Sequence, residues 1–80
     1  MRLPRNMDGT QLAKRLGRFG YAVTRQVGSH MRMTTQRAGE HHVTIPAHSP
    51  LRIGTLNSIL NDVSSHLGIT REELLAHILD

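Results

Sequence analysis

Three short segments, Tyr21–Val27, Ser29–Gln36 and Glu40–Pro46, are rich in Val, Thr, Ile and Tyr, and only Gly28 and then Arg37-Ala38-Gly39 stand between them. Runs of this composition bounded by glycine read as strands, and connections so short join them as consecutive antiparallel hairpins. Alternation then sorts their side chains. Tyr21 and Val23 point one way, and Ala22, Thr24 and Gln26 the other. Met31 and Met33 oppose His30, Arg32 and Thr34, while Val43 and Ile45 oppose His42 and Thr44. One face of the sheet is therefore apolar and must be covered by helices, and the other, which carries His30 and Arg32, is left to water or a ligand. Arg25 falls on the apolar side by strict alternation, so the first strand has to bulge, end early or lie at an edge there.

Helical spacing flanks the strands on both sides. From the N-cap candidate Asp8, Leu12, Leu16 and Phe19 share one face of a helix predicted over Gly9–Arg18, with Gly17 and Gly20 at its end. Ala47–Ile53 has two proline turn signals and no period, which is a loop. Ile53, Leu56, Ile59, Leu60, Val63 and Leu67 form the apolar stripe of a second helix closed by Gly68. Thr70 with Glu73 makes a capping box for a third, whose buried side is Leu74, Leu75, Ile78 and Leu79. The expected order is helix, three strands, helix, helix, an α+β chain with its helices on one face of the sheet, in one domain spanning residues 1–80.

Eighty residues support one small core, which with a single Phe, a single Tyr and no Trp has to be built from aliphatic side chains and Met. The absence of cysteine excludes disulfides, thiolate zinc sites and thiol catalysis. No stretch approaches a membrane span and the start lacks an apolar leader, so the expectation is a cytoplasmic protein that is not exported. The net charge is +4, and nine of the ten cations are arginine, whose planar fork suits bidentate contact with phosphate.

A chain this small has little room for a deep pocket, so any chemistry acts on a large substrate laid across its surface. Of six histidines, the neighbours His41 and His42 point to opposite faces of a strand, and apart from Glu40 no carboxylate lies near them in sequence. They and His48 read as exposed strand and loop side chains rather than metal ligands, and no cofactor is expected. His66 and His77 sit near helix C-termini, where an imidazolium is favourable. His30 stands apart: it follows Gly28 and Ser29 on the polar face, with Arg25 and Arg32 near in sequence and Lys14 reachable from the first helix. An imidazole there is suited to proton transfer, with cations to hold a phosphate. Each of those cations also reads as an ordinary solvated charge, and Gly28 as a turn residue with positive φ.

Gly20-Tyr21 through Val23, Arg25-Gln26, Gly28-Ser29-His30, then Val43-Thr44-Ile45-Pro46, Gly54-Thr55-Leu56 and Ile59-Leu60 together resemble the HicA family of bacterial toxins over roughly residues 9–63. The resemblance implies a double-stranded-RNA-binding-like fold and an mRNA interferase, an endoribonuclease that inhibits translation and growth until a HicB-type antitoxin binds it. It implies a catalytic histidine in the Gly-Ser-His element, here His30. Lys14, Arg25, Ser29 and Arg32 are the RNA-contact candidates, and no metal is assigned. The helix from Thr70 extends beyond a minimal member. Two other classes fit the same residues: a non-catalytic module for double-stranded RNA or DNA, and a structural adaptor.

Overall fold

A computed structural model describes residues 6–48 and 50–79 of the chain, and its first helix begins at the predicted cap. The Asp8 carboxylate accepts the backbone N–H of Gln11, and the Gln11 side chain accepts that of Asp8, so two of the first unpaired amides of α1 (Gly9–Leu16) are satisfied reciprocally. The helix is shorter than its periodicity suggests. Gly17–Phe19 tighten into a 3-10 turn, which Gly20 ends at φ +83°. That turn still carries Phe19 into the core.

The strands are β1 (Ala22–Val27), β2 (His30–Thr35) and β3 (His41–Pro46), antiparallel in the order β1-β2-β3. Met31, Met33, Val43 and Ile45 are buried on one face together with Tyr21, and His30, Arg32 and Thr44 are exposed on the other. The two connections differ in kind. Between Val27 and His30 only Gly28 has positive φ, +57°, the pattern of a type II′ turn. Gly39 N–H bonds the Gln36 carbonyl across the second connection, which places Ala38 at φ +59°.

The first strand bulges, one of the alternatives its sequence left open. Val23 pairs with Met33, but Arg25 pairs with Arg32, so Thr24 is the extra residue and everything after it changes face. Arg25 thereby joins Arg32 on the wet side. Gln26 goes the other way, opposite Met31, which corrects the alternation-based assignment. Of the two edge strands, β1 is exposed along its whole length, whereas β3 buries Val43 and Ile45.

Two further helices complete the cover: α2 (Ile53–Leu67), ended by Gly68 in the left-handed region, and α3 (Arg71–Ile78), opened by the Thr70–Glu73 capping box. Leu12, Leu16, Leu56, Leu60, Val63 and Leu74 are fully buried between the helices and the sheet. Each contributes roughly 1.5–3 kcal/mol relative to exposure. Ile53 and Leu79, expected in the buried stripes, are 44 % and 43 % exposed because each sits at a helix end beyond the packed turns. The Arg15 and Arg18 guanidinium groups donate to the carbonyls of Ile78 and His77, so two arginines of the basic surplus tie α1 to the C-terminal end of α3. The loop expected at Ala47–Ile53 is observed one residue shorter, because Ile53 already opens α2, and Ser49 within it lies outside the described residues. So do residues 1–5, on which part of the leader reading rests, and Asp80. The whole is an α+β arrangement of the double-stranded-RNA-binding type, with helices on one face of the sheet.

Two glycine-sensitive positions give stability predictions of opposite sign. A Cβ on Gly9 would stand 1.8 Å from the Pro46 carbonyl oxygen, and this helix start is fixed there by the bond from Gly9 N–H to the His48 carbonyl. Gly9→Ala should cost about 1–3 kcal/mol through overpacking. Ala38→Gly, which relieves a left-handed alanine, should add about 1 kcal/mol. Urea midpoints at unchanged slope measure both; a Gly9→Ala protein as stable as the wild type would refute the close approach of α1 to β3.

Candidate functional site

The exposed face of the sheet is ordered in rows by the register. In the first row His30 lies between Val27 and Pro46, in the second Arg32 lies between Arg25 and Thr44, and in the third Thr34 lies between Ala22 and His42. Successive rows are about 7 Å apart, two residues along a strand.

His30 owes its position to the turn before it. Gly28 supplies the positive φ, Ser29 follows half-buried, and the Ser29 carbonyl accepts the N–H of Ala47 at 2.6 Å, which ties the hairpin end to the exit of β3. The imidazole is thus exposed at the rim of the sheet, one row from both arginines. Val27 beside it is 61 % exposed and offers an apolar surface on the same face. The Arg25–Arg32 pairing is unfavourable by itself, since like charges directly opposite on neighbouring strands repel. An anion lying between the two guanidinium groups removes that repulsion. Of the five residues singled out in the sequence, His30, Arg25, Arg32 and Ser29 are brought together at one end of one face. Lys14 is not: it is exposed on α1, which covers the opposite face.

The third row holds a chain of side chains that the sequence reading did not assemble. Thr24 Oγ1 lies 2.8 Å from Thr34 Oγ1, Thr34 Oγ1 lies 2.7 Å from Nδ1 of His42, and Nε2 of His42 lies 2.9 Å from the Glu40 carboxylate. With His42 neutral, Nε2–H donates to Glu40 and Thr34 donates to Nδ1, while the one Thr24 hydroxyl proton is shared between Thr34 Oγ1 and the Arg32 carbonyl at 3.3 Å. Hydrogen bonds from His42 and Gln36, with the charge His42 carries when protonated and that of Arg32, hold the Glu40 carboxyl below the usual carboxylate range. Alternation already put Thr34 and His42 on the face of His30; the cross-strand register was the missing signal.

His41 lies on the covered side and is not the exposed strand histidine that its sequence position suggested. Its Nδ1 accepts the Tyr21 hydroxyl at 2.7 Å, its Nε2 lies 3.1 Å from Asp62, and its ring stacks on that of His66 at 4.2 Å. Nε2 of His66 in turn meets the carbonyls of Arg37 and Gly39 at 2.9 and 3.0 Å, which fastens the second hairpin turn to α2. Asp62 comes from a helix 21 residues further on, and nothing local in the sequence announces it. His77 sits edge-on against the Phe19 ring, and among the described residues no group of three His, Cys, Asp or Glu side chains is arranged to hold a metal ion.

The fold and this face define a small α+β protein of double-stranded-RNA-binding architecture that presents His30 beside paired arginines on an open sheet. The family model described as HicA toxin of bacterial toxin–antitoxin matches residues 9–64, and the chain belongs to that family. No curated protein and no solved structure matches the chain. No helix among the described residues is long and apolar enough to cross a membrane.

Burial, with the Asp62 charge adding to it, pushes the Tyr21 phenol up to about 12. Because the folded form holds this proton more tightly, the stability it contributes is complete below the ordinary tyrosine range near pH 10 and is lost as pH rises towards 12. Tyr21 is the only tyrosine of the chain, so tyrosinate absorbance reads it alone: the folded protein should titrate about two units above the urea-unfolded chain, and coincident titrations would refute the burial of the Tyr21 hydroxyl near Asp62.

Proposed function

We infer that this HicA family member is an endoribonuclease whose catalytic residue is His30, and that it acts as an mRNA interferase in the cytoplasm until a HicB-type antitoxin covers it. The observation that carries the reading is the bulge at Thr24, which turns Arg25 onto the row beside His30 and opposite Arg32. One imidazole and two arginines at facing register positions on an open surface suit a phosphodiester held across the strands.

RNA brings its own nucleophile. The 2′-hydroxyl attacks the adjacent phosphorus, the 5′-oxygen of the next nucleotide leaves, and a cyclic phosphate remains. His30 exchanges the proton at one of these oxygens and solvent water exchanges it at the other, so that the 2′-oxygen loses a proton and the departing 5′-oxygen gains one, while Arg25 and Arg32 balance charge on the pentacovalent phosphorus. This route needs no cofactor. Ser29 is a positioning residue in this scheme, acting through the turn that presents His30. Lys14 contributes to RNA binding through the field of the molecule rather than at the cleaved bond, since it lies on the far side of the sheet.

The antitoxin blocks the enzyme by occupancy, placing acidic or apolar surface over the same rows. A complex that leaves His30 and Arg32 open to solvent would contradict this arrangement.

His30→Ala should lower RNA cleavage by about 10²- to 10⁴-fold and abolish growth inhibition, while thermal unfolding and antitoxin binding stay as in the wild type. Cleavage at the wild-type rate by the purified variant would favour a non-catalytic RNA- or DNA-binding module instead.

A further inference from the structure

The mechanism above uses the first two rows of the sheet face and leaves the third unemployed. There the Thr24–Thr34–His42 chain ends on Glu40, a carboxylate whose side chain is 61 % exposed and which is held ionised by its neighbours. An anion is out of place on a surface that grips phosphate, because it repels the backbone that the arginines attract. At this end of the face the nucleic acid is therefore engaged by something other than phosphate.

A fixed carboxylate accepts hydrogen bonds and donates none. In single-stranded RNA the Watson–Crick edges are free to be read. Guanine presents two adjacent N–H donors on that edge, N1–H and the 2-amino group, which match the two oxygens of a carboxylate. Adenine and cytosine each set one donor beside an acceptor, and uracil flanks its single N–H with two carbonyl oxygens that a carboxylate repels. The His42 ring, 35 % exposed, supplies a flat partner at the same place. His42 is paired with Thr34, four residues along β2 from His30, so the two imidazoles are roughly 13 Å apart. That separation is too great for one phosphate to touch both.

We propose that Glu40, oriented by His42 and Thr34, is a base-reading subsite for guanine at a nucleotide flanking the cleaved linkage. The proposal rests on the reading that this face takes RNA. The hydrogen-bonded chain is what makes the subsite selective: Thr34 fixes the His42 ring and His42 holds the carboxylate in one orientation.

The test uses the full-length protein and a pool of oligoribonucleotides with randomised bases around the cleavage positions, the new ends being sequenced and normalised to total cleavage. The wild type should enrich guanine at one fixed position away from the cut by about five-fold or more, the discrimination typical of a bidentate base contact. Glu40→Gln should erase that enrichment or move it to adenine, whose donor-and-acceptor edge fits an amide, and Thr34→Val should weaken it with the cleaved phosphate still held. A wild type with no flanking preference, or a Glu40→Gln protein that keeps the guanine enrichment, overturns the subsite.

A second measurement needs no turnover. In the His30→Ala background, binding of a guanine-containing oligoribonucleotide is compared with that of a uracil-containing one, with and without Glu40→Gln. A guanine preference that disappears with Glu40→Gln upholds the subsite even if the wild type proves unable to cleave, and in that event the ribonuclease reading alone falls. Equal binding of the two oligoribonucleotides overturns the subsite independently.

Discussion

One-sided burial of a three-stranded sheet governs everything else in this molecule. The three helices cover one face only, so Met31, Met33, Val43 and Ile45 are buried while their strand neighbours His30, Arg32 and Thr44 meet solvent. Whatever the protein does with a macromolecular partner through its sheet is confined to that second face. The basic surplus is divided accordingly: Arg15 and Arg18 are tied to the carbonyls at the end of α3, and Arg25 and Arg32 stand on the open side. The net charge of +4 thus overstates what is offered to a ligand at any one place, and position matters more than total.

Within that constraint, a single inserted residue makes the site. Without the bulge at Thr24, the period of two would send the Arg25 guanidinium toward the helices, where an unpaired charge costs several kcal/mol, or force the strand to stop. With it, the edge strand twists and Arg25 meets Arg32 on the row next to His30. The same step drops Gln26 onto the covered side, where the edge position lets it stay exposed and bond the Gly28 carbonyl at the turn before His30. A local irregularity that looks like a defect in patterning therefore both gathers the cations and supports the hairpin that presents the imidazole.

Much of this was legible before any coordinates. The strands, both connections, the caps at Asp8 and Thr70 and the left-handed ends at Gly20 and Gly68 each have a local chemical signature, and local signatures survive folding. The conflict at Arg25 was also visible, because it is a contradiction between a residue and its period. Features that depend on which residues sit opposite each other were not visible: the Glu40–His42–Thr34–Thr24 chain needs the β1–β2–β3 register, and the Tyr21–His41–Asp62 cluster needs α2 to be laid across the sheet. Lys14 shows the converse error. Reach from the first helix suggests that it shares a site with His30, but α1 covers one face of the sheet and Lys14 is exposed on its far side from the other.

An open face of this kind carries its own energetic argument for a partner. Two arginines opposed across a ladder, an exposed Val27 and an edge strand with unpaired backbone groups are all features that solvent tolerates and a complementary surface improves. A polyanion relieves the first, and a protein with acidic and apolar groups relieves the first two. On the reading proposed for the chain, substrate and antitoxin then compete for the same guanidinium pair, so binding of one raises the apparent dissociation constant of the other by simple mass action, with no conformational change required. Glu40 sets the limit of that shared surface. A backbone-like anion is welcome beside Arg32 and repelled beside Glu40, so an acidic partner surface that masks His30 is expected to cover the first two rows and turn away, or present a donor, at the third.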